Sequence, residues 1–405
     1  MFRSIFAILF LGLTAGSPAA RFTLDSAVAY AISHNPGLAA ARYTIGEARA
    51  RLQGAGRLTN PELETDLRPN VRGREFSLGV GFVQRFPLTH RLRLEKAVSQ
   101  AELAIAEAEV RAAELKLTTQ VRIAGVKLLS LDGTNALKQR QIATSRELSA
   151  SSAKIAASAE GSGLETTQFE LETQQLSLDL LTLESERATL TGEARPLLGV
   201  PASDTVEFIG SLGAPSIPGP VSPDIAARAD YQAAQARAEA ARRGIVLAKA
   251  NKWADAGVGL SAELDRTEDA PEGLQTEGII GLKFSLPLPF WNKNEGRIQE
   301  AEAATLRAEK EAEALAANVR AEVMAALGEM KAARRILDET TGVLLPKARS
   351  LEDKIAGFYR LSQPGILLTD VLRSREKRLA IEQANLDALR AFHLARIRYL
   401  AAMGR

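Results

Sequence analysis

Along most of this chain apolar residues recur every three or four positions, and in four short windows they recur every second position. The two periods come in the same order twice. In the first half, Val28, Ala31, Ile32, Leu38, Ala41, Ile45, Ala48 and Leu52 predict a helix over 24–56, capped by Thr23 or Asp25. Asn35-Pro36 breaks or kinks it near its start, because the residue before a proline is driven out of the helical region. Alternation takes over at 74–87, with Phe76, Leu78, Val80 and Phe82 on one face and Ser77, Gly79, Gly81 and Val83 on the other. The partner strand is expected at 62–68, joined through 69–73. In the second half, Val258, Leu260, Ala262 and Leu264 alternate in one window and Ile280, Leu282, Phe284 and Leu286 in the next, connected by 266–275.

Each pair of windows ends in a proline step, Phe86-Pro87-Leu88 or Leu286-Pro287-Leu288, and a very long helical pattern follows. Residues 89–160 hold no proline, and 291–360 hold only Pro346. Roughly 70 residues at 1.5 Å each make a rod of about 100 Å. In the second rod, Ile298, Thr305, Val319, Glu322, Ala326, Met330 and Leu337 belong to a seam stepping by threes and fours, with small residues between them. Returning helices are expected over 164–197 and 366–402. They are about half as long as the rods, as are the helices at 24–56 and 224–252, so one of each laid end to end matches a rod. The Gly- and Pro-rich stretch 199–223 is expected to be a linker outside the rods, near their middle. The chain thus divides into 1–19, a first repeat 20–198, the linker 199–223 and a second repeat 224–405.

So few strands cannot close a sheet, and such long helices exceed one compact core. A tube built from several copies is expected, mainly α with a small β part. The alternating windows fit strands of a membrane barrel and equally an ordinary hairpin over a soluble core.

Composition sharpens this. Aromatic residues are only 5% of the chain, and Ala-rich, aromatic-poor helices pack in thin layers of long bundles. Arg3, the apolar stretch 5–13 and Ser17-Pro18-Ala19 make a secretory signal, cut after Ala19. No later stretch reaches the roughly 18 apolar residues of a membrane-spanning helix. There is no cysteine, so an exported chain has neither disulfides nor a lipidated cysteine. With 51 basic and 49 acidic residues interspersed, there is no footprint for nucleic acid.

Ser285-Leu286-Pro287-Leu288-Pro289-Phe290-Trp291-Asn292-Lys293-Asn294-Glu295-Gly296-Arg297-Ile298, its counterpart Gln84-Arg85-Phe86-Pro87-Leu88, Leu197-Leu198-Gly199-Val200-Pro201 and Thr369-Asp370-Val371-Leu372 carry a resemblance. Over essentially the whole mature chain, the sequence resembles TolC-type outer-membrane efflux proteins, most of all their cobalt-zinc-cadmium resistance branch. The resemblance implies a homotrimer with four strands per chain in a twelve-stranded transmembrane barrel, and helical hairpins forming an α-barrel tunnel across the periplasm. It implies an exit duct of a tripartite system exporting heavy-metal cations from a Gram-negative cell, with a periplasmic adaptor and an inner-membrane RND-type pump as partners. A duct for drugs or secreted polypeptides is the alternative within the class, and a soluble periplasmic coiled-coil scaffold the alternative outside it.

Candidate sites follow from the turns. Gly161, Ser162, Gly163 and Leu164, with Gln363, Pro364, Gly365 and Ile366, are expected at the periplasmic tips, where the resemblance implies adaptor contact; Gly and Pro also simply make hairpin turns. Asp370 matches an acidic ring at the aperture of related tunnels, with Arg373 one turn on and Gln168 at the equivalent place in the first repeat. An Asp370–Arg373 pair locking the aperture and a solvated i,i+3 pair are both open. Trp253 and Trp291 suit an interfacial belt or packing at the strand–helix junction. His34, His90 and His393 are isolated, so no metal-ligand spacing appears. Ser151-Ser152-Ala153-Lys154 lacks the companions of a Ser-x-x-Lys enzyme, and no phosphate-binding loop occurs. No cofactor, metal site or catalytic residue is expected.

Overall fold

A computed structural model describes residues 20–69, 74–157, 163–213, 224–269, 271, 273–361, 365 and 367–405. The expected signal 1–19 and the turn residues 70–73 lie outside the described residues. In chain order the elements are β1 (Ala20–Phe22), α1 (Leu24–His34), α2 (Pro36–Gly54), β2 (Glu62–Pro69), β3 (Phe76–Phe86), α3 (Arg91–Ala157) and α4 (Leu164–Leu198). Then come β4 (Val206–Phe208), α5 (Ala229–Ala250), β5 (Ala256–Asp269), β6 (Gly273–Ser285), α6 (Glu295–Glu339), α7 (Leu345–Arg360) and α8 (Leu368–Ala402).

The chain packs as two units, each drawing on both repeats. The first holds the described residues within Met1–Ala39, Ala113–Pro223 and Ala321–Arg405. Its core gathers Phe22 and Phe208 from a small strand pair, Val28 and Ala31 from α1, and Val121 and Leu128 from α3. Thr23 caps α1, its hydroxyl accepting from the Ser26 N–H while Ser26 accepts from the Thr23 N–H. The expected break falls at Asn35: its Oδ1 accepts the Leu38 N–H at 2.8 Å and so caps α2. Its amide donates to the Pro196 and Leu197 carbonyls at 3.0 Å each, satisfying acceptors left open at the end of α4.

Three features of this unit depart from expectation. Within 199–223, Val206–Phe208 forms a strand pairing parallel with Ala20–Phe22, and residues 214–223 lie outside the described residues. Gly125 on α3 admits that pair, since a Cβ there would lie 2.5 Å from Leu24 and 2.8 Å from Phe208. The second long rod is interrupted by a π-helical turn, Thr340–Leu344. Pro346 lacks the N–H for the Gly342 carbonyl and its ring crowds that carbonyl, so the wider turn relieves the clash. The Thr340 and Thr341 hydroxyls there hydrogen-bond Asn385 of α8 at 3.2 and 2.6 Å. Finally, the seam of α6 passes here through buried Val323 and Ala326, while Glu322 is exposed.

The second unit, within Ala40–Ala112 and Asp224–Arg320, contains a sheet of order β2-β3-β5-β6, antiparallel throughout. Strands β5 and β6 stay paired to Asp269↔Gly273, so the connection expected at 266–275 is mostly strand. Half-buried Arg91 at the start of α3 pairs with Asp255 just before β5 at 2.9 Å. Asn294 takes φ 61°, and its amide donates to the Ala248 carbonyl at 2.8 Å, turning the chain into α6.

Candidate functional site

The sheet has two faces of different chemistry. Paired positions share a face, so Leu63, Phe82, Leu260 and Leu282 form one row, and Thr65, Val80, Ala262 and Ile280 the next. These apolar residues are uncovered, with Leu282 83% and Phe284 79% exposed. The opposite face reads Glu64, Gly81, Ser261, Gly281 and then Asp66, Gly79, Glu263, Ile279. Glycine and serine keep its centre thin, and carboxylates line it.

The polar face is concave. Lys283 of β6 pairs with Glu64 of β2 at 2.8 Å, although two strands lie between them. In a flat sheet those strands stand about 14 Å apart, three spacings of about 4.8 Å, a gap that side chains perpendicular to the sheet do not close. Curling brings them together, and Gly259 and Gly81 beneath leave the path open. Among the described residues β2 and β6 each have an unpaired edge. Just past β6, Phe290 and Trp291 meet edge to face with Trp291 97% exposed, and Trp253 is exposed before β5. No helix among the described residues is long and apolar enough to cross a membrane.

At the helical turns, Gly163 (φ 68°) opens α4 and Leu164 is exposed, while Gly365 has φ 91°. Gly161, Ser162, Gln363, Pro364 and Ile366 lie outside the described residues. Asp370 is half-buried and accepts the Leu367 N–H at 2.9 Å, so its carboxylate caps the first turn of α8. Arg373 on α8 and Gln168 on α4 are exposed. Nothing in the geometry gathers these three into one cluster.

Two charged clusters escape a reading of the sequence. Glu352 of α7 is held by Arg375 at 3.2 Å and by Arg378, which also binds Glu382. Arg140 and Glu147 of α3 reach Glu382 and Arg375 at 3.3 and 3.4 Å. In sequence these residues look like solvated helix faces; the packing of α3, α7 and α8 half-buries Glu352, Arg375 and Arg378 and buries Glu382, while Arg140 and Glu147 stay exposed. The second cluster lines a cavity of about 140 Å³, where Glu172 of α4 and Glu376 of α8 join Lys138, Gln141 and Ser145 of α3. Burial, and then the Glu376 charge, raise the Glu172 carboxyl above its ordinary range, opposed by a Ser145 hydrogen bond. A raised acid favours the folded state below its unfolded pKa, and that contribution disappears as pH rises through the folded value. Glu172→Gln is therefore expected to melt higher than wild type at pH 7.5, with the difference vanishing near pH 4. Thermal circular dichroism of both proteins at the two pH values checks it.

The fold, with its curled half-polar sheet and paired long helical hairpins, is that of outer-membrane channels. Over 95% of this chain and 93% of the other it superposes on a solved structure of CusC, described for its transmembrane channel formation, at TM-score 0.75 and 17% identity. The outer membrane protein VceC of Vibrio cholerae matches at TM-score 0.72 and 21% identity, over 94% of this chain and 96% of that one. The open state of the Neisseria gonorrhoeae MtrE outer membrane channel matches at 0.75 and 16%, over 94% and 88%. No family model and no curated protein matches the sequence.

Proposed function

We propose that this chain is the outer-membrane exit duct of a tripartite efflux system, a passive channel and not an enzyme, working as a homotrimer. The carrying observation is the four-stranded sheet with an uncovered apolar face, a concave polar face and two open edges. Lipid tolerates no open strand edge, so the sheet must close with other copies, and three copies make a twelve-stranded barrel. The apolar rows then face lipid, and Trp291 and Phe290 stand at the membrane–water boundary. The helical hairpins extend into the periplasm of a Gram-negative cell. Their ends, at Gly163, Leu164 and Gly365, meet a periplasmic adaptor, which couples the duct to an inner-membrane RND-type pump.

Heavy-metal cations are the proposed cargo. The resemblance of residues 285–298 to the metal-resistance branch supports this, as do the carboxylates Glu64, Asp66, Glu263 and Asp265 along the concave face. Solved channels of the same fold are described without reference to metals, and the drug duct remains the competing cargo. Purified protein in planar bilayers is expected to form stable, cation-preferring pores, and Asp370→Ala to lower that preference. Failure of folded protein to insert would favour the periplasmic scaffold.

A further inference from the structure

We infer that the π-helical turn Thr340–Leu344 is a register lock, holding α7 one residue out of phase with α6 and so choosing which of two stripes of α7 meets α8. The inference goes beyond the duct reading and does not depend on it.

Burial along the rod carries it. In α6 the buried positions Val323, Ala326, Met330, Ala333, Leu337 and Thr340 step by threes and fours, the spacing that keeps one helix face toward a neighbour. The next buried position is Leu345, five residues on. After it, Ala348 and the half-buried Glu352 and Ile355 step by threes and fours again. The step of five falls at the π-turn, whose wider winding absorbs one extra residue. One residue of an α-helix is about 100° of rotation, so each side chain of α7 points about that far from where a straight rod would aim it.

A straight rod would present a different stripe. Continued from Thr340 by threes and fours, the seam passes through Leu344, Leu351 and Phe358, which are 40%, 42% and 43% exposed. Lys347 and Lys354 fall between them, and lysine stems cover apolar surface while their ammonium groups stay in water. This stripe is the more apolar choice, because Leu351 would stand where Glu352 now meets Arg375 at 3.2 Å and also binds Arg378. An ion pair drawn out of water adds little over an apolar residue in the same place. Two features exclude the straight rod. Pro346 has no N–H for the Gly342 carbonyl, and in a regular helix its ring crowds that group. The Thr340 and Thr341 hydroxyls also tie the turn to Asn385 of α8. Without the proline the rod straightens, and each residue of α7 takes the place of the one after it. Ala348 then stands where Arg349 is now exposed, and Glu352 leaves both arginines.

The chain has no cysteine, so one introduced thiol reports on one position. Ala348→Cys is placed in the full-length chain alone, with Pro346→Ala, and with Pro346→Ala plus deletion of Gly342. The rate of reaction with a polar maleimide is then measured in isolated membranes. Pro346→Ala is expected to speed labelling about tenfold, because a thiol on a packed face reacts only after local opening. Deleting Gly342 in that background is expected to restore the slow rate, since a straight rod one residue shorter returns Ala348 to α8. Val323→Cys, on the same seam before the turn, is expected to react slowly in every background. Slow labelling of Ala348→Cys in the Pro346→Ala protein would overturn the inference, because α7 then keeps its register without the proline. Fast labelling that the deletion leaves or increases would overturn it too, showing damage and not rotation. If Val323→Cys also becomes reactive the bundle has loosened; recovery of both thiols on deletion would then uphold the inference, and further loss would overturn it.

Discussion

Ile280→Arg is expected to abolish assembly into the membrane, while Ile279→Arg one residue earlier leaves it intact. The two isoleucines are neighbours in β6 and receive the same change, so only the face differs. Ile280 shares its row with Ala262, Val80 and Thr65 and is 81% exposed in the protomer. If that face meets lipid, a guanidinium near the bilayer midplane costs about 2–4 kcal/mol per copy, and a symmetric assembly carries it in every copy. Ile279 shares its row with Glu263, Gly79 and Asp66, where an arginine meets water and carboxylates. The readout is the amount of heat-modifiable protein in the outer-membrane fraction. Equal loss in both variants would show that neither face is selected by lipid, and equal tolerance would show that the sheet does not enter the bilayer.

Why this sheet is readable in the sequence while other features are not follows from how each is held together. Strands β3, β5 and β6 alternate over many residues because one face is apolar, and a one-residue slip would exchange the faces. The break at Asn35 and the cap at Thr23 are local chemistry, visible wherever a capping residue precedes a helical period. The strand pair β1 and β4 leaves no trace, since three residues have no measurable period and their pairing spans distant parts of the chain. Glu322 falls in the expected α6 seam because threes and fours can be phased in more than one way; burial of Val323 settles the phase. At the π-turn, Pro346 is legible but its remedy depends on Asn385 of another helix. The Glu352–Arg378 and Glu172–Glu376 clusters are the same case: each charge reads as part of a wet helix face until helices distant in sequence pack beside it. Of the expected tip residues, Gly163 and Gly365 show the positive φ that turns demand, which accounts for glycine there without a partner.

The other large effect is expected where α4 ends. Gly199→Ala should destabilise the folded protein by about 2–5 kcal/mol, combining the roughly 1–2 kcal/mol of a left-handed non-glycine residue with the roughly 1–3 kcal/mol of overpacking. Gly199 sits at φ 71° as the C-cap of α4, and its N–H returns to the Arg195 carbonyl. An added Cβ would overlap the His34 carbonyl oxygen and lie 2.7 Å from its carbon, with the Asn35 nitrogen at 3.2 Å. Those neighbours are backbone and cannot swing aside as a side chain would. They also hold Asn35, which caps α2 and closes the carbonyls of α4, so moving them loosens two helix ends together. Gly192, seven residues back in the same helix, would place an added Cβ with nothing within 4 Å, and Gly192→Ala is expected to stabilise by up to about 1 kcal/mol. Thermal melts of the two variants in detergent should therefore move in opposite directions from wild type. A Gly199→Ala protein melting with wild type would mean that the junction yields without cost, and that the close approach of α4 to Asn35 does not hold this part of the fold.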